Sequence, residues 1–331
     1  MTTLTLGTRG SQLALFQAHA VAALLRSRAG VSCDIAVIKT SGDRLADAAL
    51  SEIGGKRLFV KEIEDALLSG AIDLAVHSSK DMPALLPAGL ALGAVLPRED
   101  ARDAIVLPSL GSPDGPPGSH PAMSIEEVVR RLGQAPRIRT SSIRRIAQLL
   151  RLFPEARFAP VRGNLDTRLR KLDEGGFDAL VLAAAGLKRL GHEARISAAL
   201  ATHACVPAPG QGIIAVEIRS DDGRVRELVE RIDDRITAAA LAAERAVVIR
   251  LGGGCQMPIG AYATTSADRV VLTAVVVSMD GERAAHAEAS GTLAEAEGVG
   301  TRAAEQLLAD GAADILADVE RARGAVDGLQ P

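Results

Sequence analysis

The sequence predicts an α/β fold through most of its length and a small α+β domain at its C-terminal end. Three observations carry this. Short apolar runs alternate with amphipathic helical stretches up to about residue 250. The texture then changes to strand-like runs joined by a hairpin signal. The 331 residues also exceed what one ordinary core supports, so two or three domains are expected.

Residues 4–7 read as a strand, and Ser11 stands where a helix cap would be. Leu13, Phe16, Ala20, Val21 and Leu24 follow at helical spacing, and Cys33, Ile35 and Val37 alternate as a strand. Phe59, Ile63, Ala66 and Leu67 share a helix face, and 72–76 reads as a second buried strand. This rhythm implies a mainly parallel sheet with helices on its faces. Residues 108–121, rich in Gly, Pro and Ser, read as a flexible surface loop. The alternation resumes with strands near 137–140, 158–161 and 177–183 and helices near 142–152 and 164–172. A polar helical stretch over 221–250 leads to Leu251-Gly252-Gly253-Gly254-Cys255-Gln256-Met257-Pro258-Ile259-Gly260. Beyond it, 259–264 and 269–278 are strand-like, Asp280-Gly281 signals a hairpin, 284–290 can pair back, and the rest from about Leu293 is helical.

Composition narrows the function. With no Trp, one Tyr and five Phe the chain lacks stacking platforms for single-stranded nucleic acid. Its net charge of −3 argues against a general nucleic-acid or acidic-membrane partner. Three cysteines without a C-x-x-C pair fit a reducing compartment. No apolar run reaches about 18 residues, so a soluble cytoplasmic protein is expected. No metal-ligand spacing is present.

Five constellations carry chemistry. Cys255 lies on an irregular glycine loop where backbone can approach a ligand, and its thiol is a candidate for covalent attachment. Ala75-Val76-His77-Ser78-Ser79-Lys80-Asp81-Met82-Pro83 puts polar residues straight after a buried strand, where ligands gather in open α/β sheets. Asp81 there reads either as a catalytic carboxylate or as an exposed turn with a weak ion pair. His77 reads as a hydrogen-bonded structural residue or as a general base. Thr140-Ser141-Ser142-Ile143-Arg144-Arg145 joins a strand to a helix start, where hydroxyls, free N–H groups and guanidinium forks bind anions. Val161-Arg162-Gly163-Asn164-Leu165-Asp166-Thr167-Arg168 repeats the arrangement, and Arg9 with Ser11 makes a third example. Three such junctions suggest a cleft for a ligand with several negative groups. Nucleotide glycine patterns are missing, and arginine forks suit multiple carboxylates as well as phosphates.

These residues together resemble one family. The runs at 8–15, 59–62, 75–81, 140–145, 162–164, 185–190, 209–212 and 253–260 match, in order, those of the porphobilinogen deaminase (hydroxymethylbilane synthase) family. The resemblance implies two α/β domains similar to the type II periplasmic-binding-protein fold and a small α+β domain bearing the cysteine. It places the first at 1–102 with about 213–230, the second at 103–206 and the third at 235–331. It implies a monomeric transferase that joins four porphobilinogen molecules head to tail, loses ammonia at each step, and releases hydroxymethylbilane with water. The implied cofactor is a dipyrromethane held by a thioether to Cys255.

By the same resemblance Asp81 is the catalytic carboxylate. A carboxylate about 4 Å from the charge that develops as ammonia leaves gives an attraction on the order of 4 kcal/mol at an effective dielectric near 20. Lys80, Thr140, Ser141, Ser142, Arg144 and Arg145 match cofactor-binding positions. Arg9, Ser11, Gln17, Ser78, Arg162, Arg168 and Arg189 match positions holding substrate and polypyrrole intermediates. Phe59 matches an aromatic position on a loop over the active site; read from the residues alone it is equally a core residue on a helix face. Two positions depart from the family pattern: Arg139 and Arg57 stand where glycine is usual. Arg139 either lends the cleft a further donor or points away along its strand. The alternative reading is a non-catalytic carrier of a carboxylated ligand built on the same α/β cleft.

Overall fold

Two five-stranded sheets and one three-stranded sheet organise the chain. The computed structural model describes residues 3–41, 60–109, 122–253 and 257–327, so Phe59, Arg57, Cys255 and most of the 108–121 loop lie outside the described residues. The first unit runs β1 (Thr3–Thr8), α1 (Gln12–Leu24), β2 (Ser32–Val37), α2 (Lys61–Leu68), β3 (Leu74–Ser78) and β4 (Leu90–Val95). The second runs β5 (Asp103–Val106), α3 (Ile125–Leu132), β6 (Arg137–Arg139), α4 (Ile143–Leu150), β7 (Arg157–Ala159), α5 (Leu165–Asp173), β8 (Ala179–Ala183), α6 (Ala184–Arg189) and β9 (Ala198–Ala199). The chain returns to the first sheet as β10 (Ile214–Arg219), followed by α7 (Gly223–Val229). It ends with α8 (Arg235–Arg250), β11 (Ile259–Ser266), β12 (Arg269–Val277), β13 (Ala284–Thr292), α9 (Ala296–Ala309) and α10 (Ala312–Asp327).

The expected mainly parallel arrangement is corrected to mixed sheets. In the order β2-β1-β3-β10-β4, the first three strands are parallel and β10 runs antiparallel to both its neighbours. In the order β7-β6-β8-β5-β9, β5 is antiparallel to β8 and β9. The cause is connectivity. β5 and β10 follow the two segments that cross between the sheets, 96–102 and 200–213, and so enter against the local strand direction. The second buried strand also begins two residues later than its apolar run suggested, which leaves Ser78 as its last residue.

Alternation packs each core. Leu4, Leu6, Leu74, Val76, Val216 and Ile218 meet Val21 and Leu25 of the α1 side. Ile105, Ile138 and Val181 meet Leu149 and Phe153 in the second unit. Each such side chain contributes roughly 1.5–3 kcal/mol when fully buried. In the third unit Leu272, Ala274 and Val276 of β12 face Val247, Val299 and Leu307. Val275 and Val277 face the other way, against Ala147 and Val206 of the second unit. Burial on both faces explains why β12 is nearly continuous apolar sequence.

The crossings lie side by side, with the Glu99 N–H donating to Gly212 O at 3.1 Å. A Cβ on Gly212, at φ +86°, would stand 2.3 Å from Glu99 O, so only glycine permits this approach. Glu244 of α8 ties both crossings to the third unit. Its buried carboxylate accepts from Arg98 Nη1, the Gly210 N–H and the Ala263 N–H, each at 2.7 Å.

Candidate active site

The carboxyl end of β3 turns through the short 3₁₀ segment Ser79–Asp81, which holds three consecutive side chains in different settings. Asp81 is exposed and lines a cavity of about 430 Å³ with Arg9, Ser11, Gln17, Ser78 and His77. Ser11 caps α1, accepting from the Ala14 N–H at 3.3 Å, and so fixes the start of one wall. Gln17 is buried and donates from Nε2 to Ser78 Oγ at 2.8 Å, joining α1 to the end of β3. His77 is buried with its Nε2 3.0 Å from Glu217 Oε2 of β10. That pairing favours the structural reading of His77.

A second cavity, of about 600 Å³, opens where the two crossed units meet the third. Lys80, Ser142, Arg144 and Arg245 form part of its lining, beside apolar Met82, Leu241, Val248, Met257 and Ile259. Met257 is two residues beyond Cys255 in the chain. Burial lowers the Lys80 ammonium to about 8; Asp81 opposes that shift, and Arg145 adds to it.

The run 140–145 joins a strand to a helix start, as expected. Ser142 caps α4 by accepting from the Arg145 N–H, and buried Thr140 accepts from the Ser142 N–H at 3.3 Å. Ser141 Oγ donates to Val161 O at 3.0 Å, coupling this junction to the one after β7. The two arginines that follow point inward. Arg144 grips Asp103 with Nη1 on Oδ2 at 2.7 Å and Nη2 on Oδ1 at 3.2 Å. Arg145 Nε donates to Asp103 Oδ1 at 2.9 Å, and its Nη1 donates to Val181 O at 3.0 Å. Gln211 Nε2 adds a bond to Asp103 Oδ1 at 2.9 Å. Burial alone would raise the Asp103 carboxyl, but the two guanidiniums overcome it and hold the group well below the usual carboxylate range. Beside them, burial pushes the Cys205 thiol up to about 12, so it is no ready nucleophile.

At the next junction Asn164 caps α5, and Arg162 and Arg168 are half-buried. Arg168 Nε donates to Gly163 O at 2.9 Å. Burial lowers the Arg168 guanidinium; Arg145 acts in the same sense and Asp81 in the opposite one, which puts its charge within reach of both. Arg189 is half-buried at the crossing, where its Nη2 donates to Gly212 O at 2.7 Å. Arg139 points away from the cleft: its guanidinium lies 5.5 Å over the Phe177 ring and donates to Pro160 O.

Sequence reasoning missed Asp103, Gln211 and Glu244. Asp103 opens an apolar strand in a charged stretch that reads as surface. Glu244 had a legible signal, since it falls on the buried stripe Thr237, Ala240, Leu241, Val247, Val248 of α8. An acid on such a stripe implies buried partners.

The cavities suit a group with an apolar body and several carboxylates. Arg144 Nε is buried with no hydrogen-bond partner among the described residues, and two guanidiniums share the single carboxylate of Asp103, leaving net positive charge. Fold and site together define an α/β protein of two mixed sheets with a third unit docked at the crossing and a cavity lined by residues of all three. Residues 4–227 match the family model "Porphobilinogen deaminase, dipyromethane cofactor binding domain", and residues 238–309 match "Porphobilinogen deaminase, C-terminal domain". The porphobilinogen deaminase of Acidithiobacillus ferrooxidans is 47% identical over 96% of this chain and 99% of its own. That of Syntrophobacter fumaroxidans is 44% identical over 96% and 98%. The VFT2 domain of Bordetella pertussis BvgS overlaps 70% of this chain and 85% of its own at 17% identity and a TM-score of 0.38, too loose a likeness to carry weight. The chain belongs to the porphobilinogen deaminase family and is a transferase.

Proposed function

We propose that this chain condenses four porphobilinogen molecules head to tail and releases hydroxymethylbilane, with Asp81 as the catalytic carboxylate. The observation that carries this is the position of Asp81: exposed at a strand end, in one cavity with Arg9, Ser11, Gln17 and Ser78. Its charge there stabilises the positive charge that develops on the substrate as ammonia leaves, in a setting walled by low-dielectric protein. Arg9, Arg162, Arg168 and Arg189 hold acetate and propionate groups of substrate and growing chain, with Ser11, Gln17 and Ser78 orienting the ring nearest Asp81. Arg144, Lys80 and Ser142 hold the carboxylates of a dipyrromethane attached through Cys255, and Thr140, Ser141 and Arg145 keep that wall in place. When bound, the dipyrromethane would supply a tethered primer for the added pyrrole units, keeping them at the site between additions.

The reading takes residues 1–102 with about 213–230, 103–206 and 235–331 as three domains, and the chain as a cytoplasmic monomer. Among the described residues no helix is long and apolar enough to cross a membrane. The carrier alternative is not favoured, because both family matches are to an enzyme. Intact-mass measurement tests the proposal. Wild type is expected to carry a covalent adduct of two pyrrole units and Cys255→Ser to carry none; a wild type free of adduct sinks the assignment.

A further inference from the structure

Ser79 stands between two residues already given roles, yet its own side chain is unexplained by the fold. It is 4% exposed, and its Oγ is buried with no hydrogen-bond partner among the described residues. The backbone around it is satisfied: its N–H donates to Ile213 O at 3.0 Å, and its carbonyl accepts from the Met82 N–H at 3.1 Å. A buried hydroxyl left without a partner carries a desolvation cost that alanine at the same place would avoid. The fold nonetheless makes room for it. A Cβ on Gly210 would fall 2.5 Å from Ser79 Oγ, so the glycine, at φ +74°, leaves the space the hydroxyl occupies.

Ser79 lines the same 600 Å³ cavity as Arg144, whose Nε is the other buried donor without a partner there. Lys80 lines it as well. Two buried donors without partners among the described residues, set with Lys80 and Arg245 beside apolar Met82, Leu241, Val248, Met257 and Ile259, describe a seat for an acceptor with negative charge on an apolar body. We propose that Ser79 is a further binding residue, whose hydroxyl donates to a carboxylate of an acidic pyrrole held in this cavity. The inference rests on the function proposed above and adds a donor outside the set carried by the resemblance. The carboxylate belongs either to the tethered group or to an incoming porphobilinogen.

The test compares Ser79→Ala with wild type in the full chain, by three readouts. The first is the rate at which adduct-free protein, expressed without a porphobilinogen supply, gains the dipyrrole mass when porphobilinogen is added. The second is the half-saturating porphobilinogen concentration and kcat of the loaded protein. The third is the thermal midpoint of the adduct-free chain. A hydrogen bond to a charged acceptor predicts about a tenfold loss or more in one of the first two. Slower loading assigns the carboxylate to the tethered group; raised half-saturation with kcat within about twofold assigns it to incoming substrate. The midpoint is expected to hold or rise. Loading and half-saturation both within about twofold of wild type overturn the inference and leave the proposed function standing. A midpoint lowered by several degrees also overturns it, since the hydroxyl then has a partner inside the protein. A wild type that neither loads nor turns over removes the proposed function and this inference with it.

Discussion

Two arginine-rich corners of the molecule look alike as sequence and differ in what their charges face. At the second crossing, Arg144 and Arg145 close on Asp103 with Gln211, in a cluster that is almost wholly buried. In the first unit Arg9 is half-buried and lines one cavity with the exposed carboxylate of Asp81, and at the junction after β7 Arg162 and Arg168 are half-buried. The first corner spends its charge on the protein and keeps a remainder for a ligand. The second leaves its arginines only half-buried. The same residue type therefore supports architecture in one place and, in the function proposed above, recognition in the other, and substitutions should separate the two.

The sharpest break comes at Asp103. Asp103→Asn leaves two buried guanidiniums on a neutral partner, and loss of one member of a buried charge cluster costs about 3–5 kcal/mol. Chemical denaturation is expected to show a shift of that size; a shift below about 1 kcal/mol would show that the cluster is not a stability element. Asp81→Ala should behave in the opposite way. An exposed position predicts stability within about 0.5 kcal/mol of wild type. Turnover of porphobilinogen should nevertheless fall by about a thousandfold, the scale of one well-placed electrostatic contact. Near-normal turnover would remove Asp81 from the mechanism.

A milder contrast lies in pH. Burial lowers Lys80 to about 8 from an ordinary value of 10.5. The folded free protein therefore holds the charged form below about pH 8 and loses it above, while the unfolded chain stays protonated up to about 10.5. The unfolded state binds more protons in that window, so this group makes stability rise with pH there. Carboxylate binding moves the other way, weakening as pH climbs through 8. The rate at which adduct-free protein gains the dipyrrole mass from porphobilinogen should fall several-fold between about pH 7.5 and 9, and Lys80→Arg should flatten that fall. A profile unchanged by Lys80→Arg would take Lys80 out of ligand binding.

Much of this was legible in the chain itself. The caps Ser11, Ser142 and Asn164 fall where polar residues precede apolar periodicity, because an N-cap is a local hydrogen bond between residues three apart. The hairpin at Asp280-Gly281 and the strands on either side of it are local for the same reason. The motifs at strand ends could be read because strand-to-helix junctions concentrate unpaired N–H groups and side-chain donors. Boundaries were less secure where apolar sequence continued past the hydrogen-bonded ladder, as at the start of β3.

What tertiary structure alone decided is long-range. The reversed strands β5 and β10 depend on two crossings about a hundred residues apart in sequence, and no local pattern encodes direction within a sheet. Asp103, Gln211 and Glu244 acquired their roles from partners 19 to 146 positions away. Whether a charged residue faces water or another charge is set by which surfaces meet, and burial then multiplies the strength of the pairing. The sequence by itself determined the α/β alternation, the capped junctions and the family to which the chain belongs. The fold determined which arginines are buried on a carboxylate and which stay half-buried, and that a serine beside Lys80 carries a donor without a partner among the described residues.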